Sequence, residues 1–252
     1  MKISSIIIAK NEEANIRRCI QSQLSCIDEI IILIDSCSTD KTFDIAKSYA
    51  AVKVMQVKWQ GYAETKRYGI SLASNNWIFW IDADEEITTD LSEEINAFKK
   101  SEPAFNAYSV PRKAYFLGKW IKHSGWYPGR VARLFNKNEV SFDNRKVHEQ
   151  LIVKDAVGKL INNLNHYTDP SIHHYLEKSN RYTSLASEEL FLKGKRFSIV
   201  DIIIRPIGIF IKMYILKAGF LDGIQGFMLA MLSSSYVFTK YCKLWEVEKN
   251  KK

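Results

Sequence analysis

The chain contains no apolar run long enough to span a membrane. Its most apolar stretch, Phe197 to about Tyr241, is interrupted by Asp201, Arg205, Lys212, Lys217 and Asp222, so no charge-free segment approaches the roughly 20 residues a spanning helix needs. Cysteine is scarce. Cys19, Cys26, Cys37 and Cys242 show no C-x-x-C spacing, and three fall inside or beside expected regular elements, where a thiol acts as a small apolar group. A reducing compartment follows as the simpler expectation. Internal repeats and low-complexity segments are absent. The opening run Met1-Lys2-Ile3-Ser4-Ser5-Ile6-Ile7-Ile8 is too short for a signal peptide and reads as a first strand, so the expected location is cytoplasmic.

What is present is enough for a sizeable core: 252 residues, 46% of them hydrophobic, sufficient for one large domain or a domain with an appendage. The formal charge of +8 and pI near 9.1 imply an anionic partner, whether nucleic acid, nucleotide phosphates or an acidic membrane surface. From the start to about residue 100, short apolar runs alternate with helical periodicity. Strands are expected at Ile3–Ala9, Glu29–Ile34, Val52–Val57 and Trp77–Ile81, with helices at Glu12–Ser22, Thr39–Tyr49 and Ala63–Ala73. Nearly continuous apolar strands separated by helices predict a parallel sheet covered on both faces. Asn11 and the Ser38-Thr39-Asp40 group mark helix starts.

Beyond residue 100 the pattern changes. Tyr108–Pro111 reads as strand, Tyr115–Tyr127 is rich in aromatics, and Arg133-Leu134-Phe135 is expected to form a hairpin with Val140-Ser141-Phe142. Trp126 and Tyr127, beside Gly125 and Gly129, are either core packing or flat faces against which a sugar ring stacks. From Phe197 onward, Arg205, Lys212 and Lys217 among isoleucines and aromatics fit an interfacial helix with basic side chains reaching anionic lipid. A helical hairpin broken at Gly219–Gly223 and packed on the rest of the chain fits equally well.

The chemistry concentrates in Trp80-Ile81-Asp82-Ala83-Asp84-Glu85-Glu86, four carboxylates directly behind an apolar strand pattern. Aspartates at i and i+2 on a strand end point the same way, so their charges converge. Hard oxygen donors of this kind suit Mg2+ or Mn2+ with a phosphorylated substrate. An isolated pair also fits an acidic turn capping a helix that starts near Thr88 or Thr89. Other strand ends carry Ala9-Lys10-Asn11-Glu12-Glu13 and Asp35-Ser36-Cys37-Ser38-Thr39-Asp40, and Lys66-Arg67 lies on the third helix. With a nucleoside diphosphate across these edges, Asp35 would accept from a base imide, Asp82 would meet ribose, Asp84 would hold the metal, and Lys66 or Arg67 would offset phosphate charge. His166, His173 and His174 read as hydrogen-bonding residues of loops or core, with His166 the one placed to approach a diphosphate.

These segments, together with Asp28-Glu29-Ile30-Ile31, Arg133-Leu134-Phe135, Arg145-Lys146-Val147-His148-Glu149 and Gly219-Phe220-Leu221-Asp222-Gly223, resemble the family 2 inverting glycosyltransferases of the GT-A fold. More narrowly, they are similar to the branch of β-1,4-glucosyltransferases acting on the inner core of lipopolysaccharide or lipooligosaccharide. The resemblance spans almost the whole chain. It departs from the family at Cys37, where a small residue is usual, and at Lys66-Arg67-Tyr68.

The resemblance implies an α/β GT-A domain over 1–190, with a nucleotide-binding half at 1–100 and an acceptor half at 101–190, followed by a helical, amphipathic, membrane-associating region at 191–252. It implies transfer of a hexose, with glucose the first expectation, from a UDP-sugar to a hydroxyl of a lipid-linked saccharide, with inversion. Glu149 is the expected base. Neighbouring side chains on a strand face opposite ways, which gives His148 a separate role as metal ligand or orienter. The substrate-binding set is Ala9, Asn11, Glu12, Asp35, Lys66, Arg67, Asp82, Trp126 and Tyr127, and the metal set is Asp84 with His148. A peripheral position at the inner face of the membrane accompanies this reading. Two alternatives stand beside it: a sugar nucleotidyltransferase, which would favour a glycine-rich phosphate loop that Ala9-Lys10-Asn11-Glu12 lacks, and a basic membrane-binding module without chemistry. Nucleic acid is not an expected partner, because the acidic edge repels a phosphate backbone.

Overall fold

A computed structural model describes residues 1–142, 151–153 and 156–250, with no side-chain description at 62, 63 and 142. The elements follow in order as β1 (Ile3–Ala9), α1 (Ile16–Gln21), β2 (Glu29–Asp35), α2 (Thr42–Lys47), β3 (Val52–Val57), α3 (Tyr62–Leu72), β4 (Trp77–Trp80), β5 (Glu85–Ile87), α4 (Thr89–Phe98) and β6 (Ala107–Val110). Then come β7 (Arg112–Phe116), β8 (Lys119–Trp120), β9 (Val131–Asn136), β10 (Val140–Phe142), β11 (Leu151–Val153), β12 (Gly158–Lys159) and β13 (Leu164–Asp169). Three long helices close the chain: α5 (Ile172–Leu192), α6 (Ile199–Phe210) and α7 (Gly223–Asn250). They sort into two compact units, the first built from 1–112 and 130–166, the second from 113–129 and 167–252.

The first unit is organised by a seven-stranded sheet of order β12-β6-β9-β4-β1-β2-β3. β4, β1, β2 and β3 run parallel, while β9 runs antiparallel to both β4 and β6. Period-two alternation decides what each face buries. Ile3, Ile7, Ile30, Ile32, Ile34 and Phe79 join one core with Ile16 and Ile20 of α1 and Leu91 and Ile95 of α4. Ile6, Ile31, Leu33, Ile78 and Trp80 join the other, against Ile70, Leu72 and Ala73 at the end of α3. Each fully buried isoleucine contributes about 1.5–3 kcal/mol relative to exposure. Gly69 lets α3 lie close on the strands, since a Cβ there would stand 2.6 Å from Ile6 Cγ2.

The parallel sheet covered on both faces agrees with the sequence pattern; several details differ. Val140–Phe142 pairs with Leu151–Val153 rather than with Arg133–Phe135, whose strand is taken up on both edges by β4 and β6. α1 begins at Ile16, not Glu12, because Asn11 adopts a left-handed φ of 54° and the chain turns before winding. α2 begins at Thr42, where Asp40 Oδ1 accepts from the Thr42 amide at 3.0 Å.

In the second unit α6 continues through a π-helical turn, Ile211–Leu216, and a 3-10 turn, Gly219–Asp222, into α7. Phe116, Ile121 and Leu229 form its buried centre, with Trp126, Tyr175, Met213 and Leu232 packed around them. Lys243 of α7 fastens α5 by donating to Asn180 Oδ1 at 2.6 Å and Thr183 Oγ1 at 2.9 Å. Among the described residues no helix is long and apolar enough to cross a membrane.

Candidate active site at the carboxyl edge of the sheet

The parallel register carries the ends of β1, β2 and β4 to one edge of the sheet. There the loops after β1 and β2 are cross-tied. The Thr39 amide donates to Asn11 Oδ1 at 2.8 Å, the Glu12 amide to Thr42 Oγ1 at 2.8 Å, and the Glu13 amide to Asp40 Oδ2 at 2.9 Å. Asp35 is buried. Its Oδ1 accepts from the Cys37 amide at 2.9 Å and its Oδ2 lies 2.8 Å from Lys10 Nζ. The Lys10 hydrogen bond, ahead of the Cys37 amide, holds the Asp35 carboxyl below the usual range despite burial.

The acidic turn closes on itself after β4. The Asp82 amide donates to Glu85 Oε2 and the Glu85 amide to the Asp82 carbonyl, each at 3.0 Å. It is not a helix cap: Thr88 does that work for α4, its hydroxyl accepting from the Leu91 amide. Arg133, buried on β9, donates to Asp82 Oδ2 and, at 2.6 Å, to Glu85 Oε1. Arg112 adds a second cation 3.6 Å from Glu85 Oε1.

Two carboxylates three residues apart thus receive opposite treatment. Burial works to raise the Asp82 pKa, but Arg133, then Lys66 and His166, hold it well below the carboxylate range. Glu85 has no exposed surface, and burial outweighs Arg133 to push its pKa up, with Asp82 adding to the rise. The Asp82 side chain keeps 45% of its surface open, so an ionised acceptor faces solvent. Beneath the turn, burial and then the charges of Glu85, Asp84 and Asp82 raise the Cys19 thiol well above its usual value, which keeps it an inert packing group.

β13 runs antiparallel to β5 and sets His166 opposite Glu85. His166 Nε2 lies 3.3 Å from Asp84 Oδ2. This carboxylate and imidazole, both partly open to solvent, are the described residues best able to hold a divalent cation. They fit one: Mg2+ bound with substrate phosphates uses one or two carboxylates and completes its shell with water and phosphate oxygens, and Mn2+ shares that taste for carboxylate. Among the described residues no group of three or more His, Cys, Asp or Glu forms a closed metal cage.

The structure therefore brings Ala9, Asn11, Glu12, Asp35, Asp82 and Asp84 to the strand ends. Lys66 lies close enough to lower Asp82, its ammonium 3.8 Å from the Trp80 ring centroid. Arg67 pairs with Glu64 one turn earlier on α3. Trp126 and Tyr127 belong to the second unit, where Trp126 meets Phe116 edge-on and Tyr127 meets Trp120. His148 and Glu149 lie outside the described residues. His173 stands 3.4 Å from Glu177 and His174 3.3 Å from Asp169. Arg133, which the sequence places in a resembling segment but to which it assigns no site role, joins the site through acidic partners 51 and 48 residues upstream.

A parallel β3-β2-β1-β4 array with an acidic turn behind β4 is the layout of a GT-A-type domain. Residues 4–187 match the sequence model of glycosyl transferase family 2, and the chain belongs to that family. It is 33% identical over 257 residues to an uncharacterized glycosyltransferase of Rickettsia typhi, covering 98% of this chain and 87% of that protein. A lipopolysaccharide core biosynthesis glycosyltransferase of Rhizobium meliloti is 28% identical over 252 residues, covering 98% and 93%. The solved mannosyltransferase of Pyrobaculum calidifontis, in complex with GDP-Man and Mn2+, shares the fold at 13% identity with a TM-score of 0.57, covering 97% of this chain and 87% of that one. Family membership selects glycosyl transfer over nucleotidyl transfer and over a module without chemistry.

Proposed function

We propose that the protein transfers a hexose, glucose first among the candidates, from a UDP-sugar to a hydroxyl of a lipid-linked saccharide such as the lipopolysaccharide inner core, with inversion at the anomeric carbon. The observation that carries this reading is the turn after β4, where Asp82 is kept ionised by Arg133 while Asp84 stands beside His166. Asp82 presents acceptors to ribose hydroxyls, and Asp35 receives the base once Lys10 gives way. Lys66, with Arg67 nearby on α3, offsets diphosphate charge. Asp84, with His166 or His148, would hold Mg2+ or Mn2+, which when bound offsets the negative charge of the departing diphosphate. Glu149 is the proposed base, taking the proton of the attacking hydroxyl from the side opposite the leaving group. Trp126 and Tyr127 are the proposed acceptor platform. The lipopolysaccharide core function named for the Rhizobium meliloti relative supports the acceptor class.

The division of labour we propose is catalysis in 1–190 and membrane attachment in 191–252, at the cytoplasmic face. Ile199, Ile203, Ile207, Ile211 and Ile215 recur every fourth residue along α6 and its π-helical extension, each between 45 and 61% exposed. An exposed apolar row flanked by Lys195, Arg196, Arg205 and Lys212 suits the headgroup layer of an anionic bilayer. The test is UDP release over a panel of UDP-sugars, with and without Mn2+, repeated with Asp84→Ala and Glu149→Gln. Metal-dependent release that both substitutions abolish is expected, with UDP affinity retained in Glu149→Gln. Release that persists in Glu149→Gln moves the base elsewhere, and release indifferent to metal and to Asp84→Ala overturns the site.

A further inference from the structure

The second unit contains a cavity of about 540 Å³ lined by Lys122, His123, Ser124, Trp126, Lys212 and Lys217, among others. Its volume matches that of a small-molecule site and exceeds what a single phosphate fills. Among the described residues neither Lys212 nor Lys217 has a carboxylate partner, and the Lys122 ammonium rests 4.8 Å over the Trp120 ring. One acid, Asp222, is held by the loop that lines the cavity and is buried, so three lysines face a single carboxylate. The Asp222 carboxylate accepts from the amides of Lys122 and His123, at 3.2 and 2.9 Å, and from His123 Nδ1 at 3.0 Å. The cavity therefore carries a net positive charge.

Its wall also holds a polar group that nothing among the described residues satisfies. Ser124 is 3% exposed and its hydroxyl has no hydrogen-bond partner among the described residues. That residue adopts a left-handed φ of 59°, fixed by its amide donating to the Lys217 carbonyl at 2.9 Å. Gly219 permits the approach, since a Cβ there would lie 2.6 Å from Ser124 Oγ and 2.7 Å from the Met213 carbonyl. Strained backbone and an unsatisfied buried hydroxyl are both costly and concentrate at binding sites.

We propose that this cavity binds a phosphomonoester carried by a saccharide or lipid, its oxygens held by Lys122, Lys212, Lys217 and the Ser124 hydroxyl. Trp126 and Tyr127 supply flat apolar surface for the group to which the phosphate is attached. The proposal rests on the reading of the acceptor as a lipid-linked saccharide and narrows it to one that bears a phosphate, on its sugar or on its lipid.

Calorimetric titration of the full chain with glucose 6-phosphate, with glucose as the neutral control, tests the sugar source. Flotation with phosphatidylcholine vesicles doped with phosphatidic acid, against phosphatidylglycerol as the diester control, tests the lipid source. Preference for the monoester in either arm, reduced about tenfold or more by Lys212→Ala/Lys217→Ala, is the expected result. Both lysines are exposed, so the variant is expected to fold, and UDP affinity measured on the same sample reports the first unit independently. Lost phosphate binding with UDP binding intact concerns this cavity alone, whereas absent UDP binding in the unsubstituted chain counts against the proposed transferase. Monoester preference in neither arm, or an equal loss of glucose 6-phosphate affinity in Lys193→Ala/Lys249→Ala, overturns the proposal.

Discussion

The two units of this protein treat charge in opposite ways. The first holds 20 lysines and arginines against 20 aspartates and glutamates, while the second holds 16 against eight, so the whole formal charge of +8 resides in the second. In the first unit the functional charges are matched by internal partners, as Arg133 matches Asp82 and Glu85. In the second, exposed lysines stand beside an exposed apolar row. The excess basicity of the chain is thus not an imprint of nucleotide phosphate at the sheet edge. It belongs to the second unit, and there not to the helices, whose lysines and arginines are balanced by acids, but to residues outside them such as Lys113, Lys119, Lys122, Lys193, Lys195, Arg196 and Lys217.

The contrast breaks most visibly if Arg133 is removed. Arg133→Ala leaves Glu85 buried and without its main cation, a loss of about 3–5 kcal/mol, which denaturant unfolding will measure. An unchanged midpoint would show that the first unit does not depend on internal charge matching. Next in size is an acid effect at Glu29. Burial opposes its ionisation, but Lys53, Ser4 and Ser74 together hold its pKa down to about 2. A depressed carboxyl stabilises the fold above its unfolded pKa and loses that contribution as pH falls through the folded value. Melting temperature should therefore drop between about pH 5 and pH 2, by the equivalent of roughly 3 kcal/mol, and Glu29→Gln should flatten that slope.

Smaller effects sharpen the comparison from the other side. Ile203→Ser/Ile207→Ser should weaken flotation with anionic vesicles about tenfold or more while leaving the melting temperature near its starting value; retained flotation would assign the apolar row to something other than lipid. Lys212→Ala should change stability by no more than about 0.5 kcal/mol, since an exposed lysine without a carboxylate partner carries little. A larger loss would reveal a hidden ion pair and remove the distinction between the units.

Much of this was legible along the chain. β1 coincides with the apolar run Ile3–Ala9, because a strand buried on both faces writes its burial as near-continuous hydrophobicity; β3 also matches Val52–Val57, but at the sheet edge it is only partly buried, with Lys53 and Gln56 exposed. Helix starts at the carboxyl edge were only partly legible: Asn11 looks like a cap but accepts from the Thr39 amide of the facing loop, and Asp40 accepts both from the Thr42 amide at the start of α2 and from the Glu13 amide across the loops. Local preference cannot distinguish a cap from a cross-tie. Adjacency in sequence likewise favours β9 as the partner of β10, whereas both edges of β9 are taken by β4 and β6 and β10 pairs with β11. At the site, the aspartates announced themselves by spacing. Arg133 did not, because its role exists only once an antiparallel strand lies beside β4.

The Asp222 clamp has a further consequence. Its carboxylate seizes two successive amides and the imidazole of the loop that lines the cavity, and Lys119 caps its carbonyl at 2.7 Å. The loop is thereby preorganised, so an incoming ligand would not have to supply the entropy of ordering it. Recognition there should be closer to lock-and-key than to coupled folding.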